Sequence, residues 1–221
     1  MRIIFFIILL TCLSCSGLTP QEDSRLTIPE TVALSTVALG VMNSQGLLAV
    51  GGSGTYIMVN NIPYVITANH VLVESPDTLV ACHVDTTVFT DPLPGQCIET
   101  TEQSYIDTTH DIAVLRLQNI FAAALPAYII FEYNWTLGEP IMISAYPFSM
   151  YSLSFGNIGM CRNIGRCVHD AAVWWSSSGG GVFNMNGDLI GIQLSHWVDL
   201  RLPDVVEGHK VFTLIPNGLL D

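Results

Sequence analysis

Tyr56-Ile57-Met58-Val59-Asn60-Asn61-Ile62-Pro63-Tyr64-Val65-Ile66-Thr67-Ala68-Asn69-His70-Val71 decides the fold class. Two β-branched and aromatic runs flank an Asn-Asn pair, and Asn tolerates the positive φ that a tight hairpin turn demands. The second strand then delivers a single histidine into a short turn. The pattern recurs downstream. Val182-Phe183-Asn184-Met185 and Leu189-Ile190-Gly191-Ile192 flank Asn186-Gly187-Asp188, a stronger hairpin signal. No stretch combines helical periodicity with both caps, and Pro126 interrupts the best candidate. Many short strands separated by Gly- and Asn-rich turns imply an all-β chain of barrels or a sandwich. No internal repeat is visible. A long connection at residues 118–139 separates two halves, residues 31–117 and 140–221.

Composition narrows the function. The chain has 221 residues, half of them apolar and 12% charged, with 19 acids against 7 Lys and Arg, a net charge of −12. Disorder is excluded, since disordered chains are poor in apolar residues and rich in charge. Nucleic acid is not an expected partner, because seven dispersed cations, Lys210 the only lysine among them, make no basic face. Multiple membrane spans are excluded as well. The longest apolar runs, Ile3–Leu10 and the Pro-interrupted Ile120–Phe131, fall short of the ~20 residues a spanning helix needs.

The N-terminus reads as an address. Arg2 precedes the apolar block 3–10, and small residues follow, the plan of an export signal in residues 1–15. Leu13-Ser14-Cys15 resembles a bacterial lipobox, which makes Cys15 the lipidation candidate and a membrane attachment point; the competing reading is an ordinary cut near Ser16 or Gly17. The chain is therefore expected to be exported, either as a periplasmic or cell-surface lipoprotein or in secreted form. Residues 16–30 are polar and read as a tether. Beyond the leader remain Cys82, Cys97, Cys161 and Cys167, an even set that an oxidising compartment would pair. Proximity favours Cys82–Cys97 and Cys161–Cys167 among the three pairings allowed. A zinc site competes, but lacks a Cys-x-x-Cys pair. His83, His169, His196 and His209 are scattered without metal-binding spacing, so neither metal nor cofactor is expected.

Three segments carry chemistry together. His70 is of the type best suited to move a proton near neutral pH. Asp111 opens the apolar strand Ile112-Ala113-Val114-Leu115, where a buried carboxylate needs a hydrogen-bonding partner such as an imidazole. Ser176-Ser177-Ser178-Gly179-Gly180-Gly181 places a serine in a glycine-flanked turn, where its hydroxyl and nearby backbone N–H groups meet a substrate carbonyl. Of these serines only Ser178 is followed directly by two glycines.

In this order and with these flanks, Thr67-Ala68-Asn69-His70-Val71, Asp111-Ile112-Ala113-Val114-Leu115 and Ser178-Gly179-Gly180 resemble the signatures of trypsin-like (chymotrypsin-fold) serine proteases. The closer likeness is to the bacterial Deg, or high-temperature-requirement, branch, through Asp170-Ala171-Ala172 before the serine and Gly187-Asp188-Leu189-Ile190-Gly191-Ile192 after it. The resemblance implies two six-stranded antiparallel β-barrels with the active site in the cleft between them. It further implies Ser178 as nucleophile, His70 as base and acid, Asp111 orienting the imidazole, and the backbone N–H groups of Ser176 and Ser178 as the oxyanion hole. By position Ala172 falls at the base of the primary pocket, with Gln193, Leu194, Ser195 and His196 along its wall. The absence of a carboxylate at Ala172 leads one to expect a small or medium apolar residue before the scissile bond. Polypeptides are the implied substrates.

The chain departs from the family in places. Ser176 stands where glycine is usual, Ser177 where Asp or Asn is usual, and Gly181 where proline is usual. These changes raise the expectation of an oxyanion hole that forms only with substrate. Trp174-Trp175 reads as core or barrel-rim packing. No Ile-Val-Gly-Gly-like start appears, so activation by N-terminal insertion is not expected, nor is a PDZ module or the regulation it would bring. The alternative to an exported serine endopeptidase is a catalytically weak or inactive homologue of the same fold acting as a binding scaffold. An α/β-hydrolase esterase fits poorly, since it needs the order Ser, Asp, His and alternating helices.

Overall fold

The computed structural model describes residues 26–46, 48–72, 78–83, 97–162, 165–195 and 210–220. Its twelve strands form two closed antiparallel barrels. In the first, β1 (Thr36–Met42), β2 (Leu48–Val59), β3 (Ile62–Ala68), β4 (Thr78–Cys82), β5 (Cys97–Asp107) and β6 (Ile112–Leu117) run in the order β1-β2-β3-β6-β5-β4. In the second, β7 (Pro140–Ala145), β8 (Ser152–Cys161), β9 (Arg166–His169), β10 (Gly181–Phe183), β11 (Leu189–Ser195) and β12 (Lys210–Leu214) close in the order β7-β8-β9-β12-β11-β10. The two orders are the same path traced twice. The repeat invisible in the sequence is thus present in the topology, because strand pairing needs only compatible faces and turns, not matched residues.

Asn60 and Asn61, with φ of 49° and 63°, turn β2 back into β3 as a primed hairpin. In the second barrel β10 ends at Phe183, earlier than the run through Met185 had implied. Asn184 leaves the ladder and uses its side-chain oxygen to accept from the N–H groups of Asn186 and Asp188. Its own N–H donates to Asp188 O at 3.0 Å, so main chain and side chain together close the turn at the end of the strand.

One helix, α1 (Ile28–Ser35), begins inside the stretch expected to be tether. Thr27 and Glu30 form a reciprocal capping box and Pro29 occupies the first turn, a strong start signal. Eight residues are too few to display a periodicity, so the helix was legible only from its cap.

The connection at 118–139 is a strap rather than a spacer. Ala127 bridges to Ile57 of the first barrel, and Ile129 bridges to Leu189 of the second. Ala127 N–H donates to Tyr56 O at 2.9 Å, and Leu189 N–H to Tyr128 O at 2.8 Å. The largest apolar cluster runs across both barrels, joining Val37, Ile57, Ile66 and Val114 to Met142, Phe183, Leu189 and Ile192. Thr36 and Ser144, both fully buried, share a hydrogen bond of 2.6 Å between the barrels. One apolar cluster therefore ties the two barrels together.

Both disulfides favoured by proximity are formed, Cys82–Cys97 and Cys161–Cys167. Each joins residues directly opposite in register, on β4/β5 and β8/β9. With all four sulfurs in bridges, the competing zinc site has no thiolates to use.

Candidate active site

β3 ends at Ala68, and a single 3₁₀ turn, Asn69–Val71, lifts His70 to the surface while burying Val71. Its partner arrives from the β5–β6 hairpin. Asp111 sits at the end of that turn with φ of 59°, a left-handed conformation that Asp accepts more readily than most residues. There Asp111 Oδ2 lies 2.6 Å from His70 Nδ1, and Oδ1 accepts from the His70 backbone N–H at 2.9 Å. The backbone closes the arrangement, Asn69 N–H donating to Asp111 O at 2.9 Å. Aspartate is 22% exposed and histidine 43%, so the imidazole keeps an open face while its orienting partner is shielded.

A second acid–imidazole pair builds the turn that carries Asp111. Asp107 Oδ1 accepts from the N–H groups of Thr109 and His110, and Oδ2 lies 2.6 Å from His110 Nδ1. Burial pushes the Asp107 carboxyl up, but the bonds from His110 and Thr109 outweigh it and hold the group below its ordinary value. Arg166 reaches over from the second barrel, its Nη2 donating to Thr109 O at 3.2 Å. Sequence reading did not single out Asp107 or His110. Its only signal was an Asp followed three residues later by a polar residue at a strand end.

The serine turn comes from the second barrel. Trp174–Ser177 closes with Ser177 N–H donating to Trp174 O at 3.1 Å, and Ser176 occupies its third position at φ of 67°. A positive φ at that position is the mark of a type II turn, normally a glycine place. Trp174 N–H donates to Ser177 Oγ at 3.1 Å, so the serine at the usual Asp or Asn position caps its own turn. Phe148 N–H donates to Trp175 O at 3.3 Å, which directs the Trp175–Ser176 peptide. Along this turn the N–H groups of Ser177, Gly179 and Gly180 donate to Trp174 O, Gln193 O and Ser177 O. Those of Ser176 and Ser178 have no acceptor among the described residues. The turn thus leaves these two amides without an internal acceptor.

The two barrels meet at Gly179. A Cβ there would lie 2.1 Å from Ser53 O and Thr67 Oγ1 and 3.1 Å from Ala68 N, so only glycine lets the serine turn close on the end of β3. Ser53 N–H donates to Ser178 O at 2.8 Å across the same contact. The structure therefore sets the serine turn against the end of β3, the strand that leads into His70 and its partner Asp111. His70 is bonded to Asp111; no bond joins it to Ser178 among the described residues.

The pocket residues divide. Ala172 is exposed. Gln193 is fully buried behind the serine turn, its Oε1 2.8 Å from His169 Nε2. Leu194 packs into the main core with Ile192 rather than along an open wall, at a register shift of β11 between Gln193 and Ser195. Of Ser195 only the backbone pairing with Val211 is described, and His196 lies outside the described residues, as do His209 and Cys15. Trp174 and Trp175 are 60% and 58% exposed, which corrects the packing expected of them: the turn that presents Ser176 lifts both indoles off the barrel.

Comparisons with known proteins bear on the fold and the family. The mitochondrial serine protease HTRA2 of Drosophila virilis and that of Drosophila grimshawi are each 28% identical over 160 residues. The match covers 68% of this chain and 35% of each relative, so the chain spans about a third of their length. Among solved structures, the HtrA-type protease AlgW with a decapeptide superposes with a TM-score of 0.63 at 16% identity, over 86% of this chain and 64% of that one. The active form of the Rv3671c protease from M. tuberculosis gives 0.62 at 18%, over 85% and 78%. Those likenesses establish the double-barrel fold. The family model for the trypsin-like peptidase domain matches residues 52–192, from the strand that meets the serine turn, through His70 and Asp111, to β11. On that match the chain belongs to the trypsin-like peptidase domain family.

Proposed function

We propose that the chain is an exported serine endopeptidase that works through Ser178, His70 and Asp111. The observation that carries this reading is the two-point grip of Asp111 on His70, through Nδ1 and the backbone N–H, next to the end of β3 onto which the Ser178 turn closes. Asp111 holds the imidazole with its proton on Nδ1, leaving the Nε2 lone pair to take the Ser178 proton as Oγ attacks the scissile carbonyl. Charge developing on that carbonyl oxygen falls to the free N–H groups of Ser176 and Ser178. His70 then returns the proton to the leaving amine, and the acyl group on Ser178 is released by water through the same steps in reverse. The missing His70–Ser178 bond fits this scheme, since catalytic hydrogen bonds are often long without substrate and tighten when it binds.

Polypeptides are the substrates this site would take, with Ala172 favouring a small or medium apolar residue before the cleaved bond. Export rests on the leader at residues 1–15 and is supported by two disulfides, which persist in oxidising compartments. Membrane attachment through a lipidated Cys15 belongs to the same proposal. The test is hydrolysis of an unfolded polypeptide such as reduced casein by the purified protein, beside Ser178→Ala and His70→Ala. Cleavage by the wild type that both substitutions abolish is the expected result. Cleavage that survives Ser178→Ala overturns the assignment, and a folded wild type that cleaves nothing favours a binding scaffold.

A further inference from the structure

Ser53 lies in the first barrel, on β2, with no exposed surface, and it has no part in the scheme above. Every polar atom it has nevertheless points at the site. Its hydroxyl donates to Ser176 O at 2.7 Å and accepts from Tyr146 N–H at 2.8 Å. Its N–H donates to Ser178 O at 2.8 Å, and its carbonyl accepts from Thr67 Oγ1 at 2.7 Å, three residues before His70.

Ser176 is the residue in need of such a hold. At φ of 67° it sits in a region that costs any residue with a Cβ, and that its neighbours must impose. The two carbonyls on either side of it are each gripped from outside the turn, Trp175 O by Phe148 N–H and Ser176 O by Ser53 Oγ. Relaxation of Ser176 to negative φ rotates its N–H away from the direction the turn now gives it. Glycine, indifferent to the sign of φ, would need no clamp.

We propose that Ser53 is a positioning residue: its hydroxyl clamps Ser176 in the left-handed conformation and so keeps the Ser176 N–H aimed at the oxyanion. The first barrel thereby takes part in forming an oxyanion site built on the second. The inference rests on the proposed peptidase reading, and it explains how a serine is tolerated at a glycine position.

The test is inactivation by a fluorophosphonate, whose phosphoryl oxygen uses the same donors as a scissile carbonyl. Ser53→Ala is expected to lower the maximal inactivation rate about tenfold or more, with the half-saturating probe concentration changed less than twofold. Ser53→Cys, which keeps the volume and offers only a weak thiol donor, should show the same pattern if the alanine variant folds poorly. Adding Ser176→Gly should restore most of the rate, so that losing the Ser53 hydroxyl costs less than threefold in the glycine background. Equal losses in both backgrounds, or an undiminished rate in folded Ser53→Ala, overturn the proposal. A crystal structure of Ser53→Ala gives an answer that does not depend on activity: negative φ at Ser176 supports the clamp, and an unchanged turn overturns it. If the wild type is labelled nowhere, the peptidase reading fails, while the conformational outcome at Ser176 still decides the role of Ser53.

Discussion

Asp111 grips His70 at two points, with Oδ2 on the ring Nδ1 at 2.6 Å and Oδ1 on the backbone N–H at 2.9 Å. The second bond fixes where the carboxylate sits, so the first can fix which ring nitrogen carries the proton.

Asp111→Asn is expected to preserve that placement and destroy its chemistry. The Asn carbonyl still accepts from the His70 backbone, but its amide then faces Nδ1 and forces the proton onto Nε2, where it blocks transfer from Ser178. The turnover number should fall by roughly 10⁴ while thermal stability changes little. Steady-state hydrolysis with a parallel melting curve checks both. Loss of activity below tenfold in the folded variant contradicts the role given to Asp111.

His169 sets a pH dependence of stability. Burial drives the imidazole down to about 4, the Gln193 bond and Asp170 opposing and Lys210 assisting. The unfolded chain takes up a proton near the ordinary histidine value and the folded chain does not. Stability should therefore be fully present above about pH 6.5 and fall as the pH drops toward 4, by up to about 3 kcal/mol. Urea denaturation at pH 4.5 and 7.5 measures the loss, and His169→Gln should diminish it. An equal loss in that variant assigns the dependence to other groups.

The two disulfides should differ in weight. Cys82–Cys97 closes a loop with a sequence separation of 15 and Cys161–Cys167 one of 6. Loop-closure entropy gives about 3 and about 2 kcal/mol respectively. Paired Cys→Ser variants compared by urea midpoint should rank in that order. A larger loss at the shorter loop would mean that the hairpin carrying Arg166 to Thr109 matters more than loop entropy.

What the sequence made legible follows from where the causes lie. His70, Asp111 and Ser178 stood out because each lies beside a strand in a motif whose flanks resemble a family signature, and the roles proposed for them rest on that resemblance and on the Asp111–His70 contact. Both cysteine pairs were near enough for proximity to suffice. Nothing in residue type singles out Ser53; the role proposed for it depends on Tyr146 and Ser176, which are 93 and 123 residues away. Leu194 and the indoles of Trp174 and Trp175 were misjudged for a related reason. A register shift on β11 between Gln193 and Ser195 and a positive φ at Ser176 lie where those side chains depart from the expectation, and neither is written in residue type. Helix α1 left no periodic trace because it is only 8 residues long, and its signal is confined to the Thr27–Glu30 capping box.

The most direct measurement of the central claim is mass-spectrometric mapping of a fluorophosphonate adduct on the folded protein. The expected result is a single phosphonylated residue, Ser178, formed in the wild type, strongly slowed in His70→Ala and absent in Ser178→Ala. Labelling at Ser176 or Ser177 instead, or no labelling of a folded and monodisperse wild type, would contradict it.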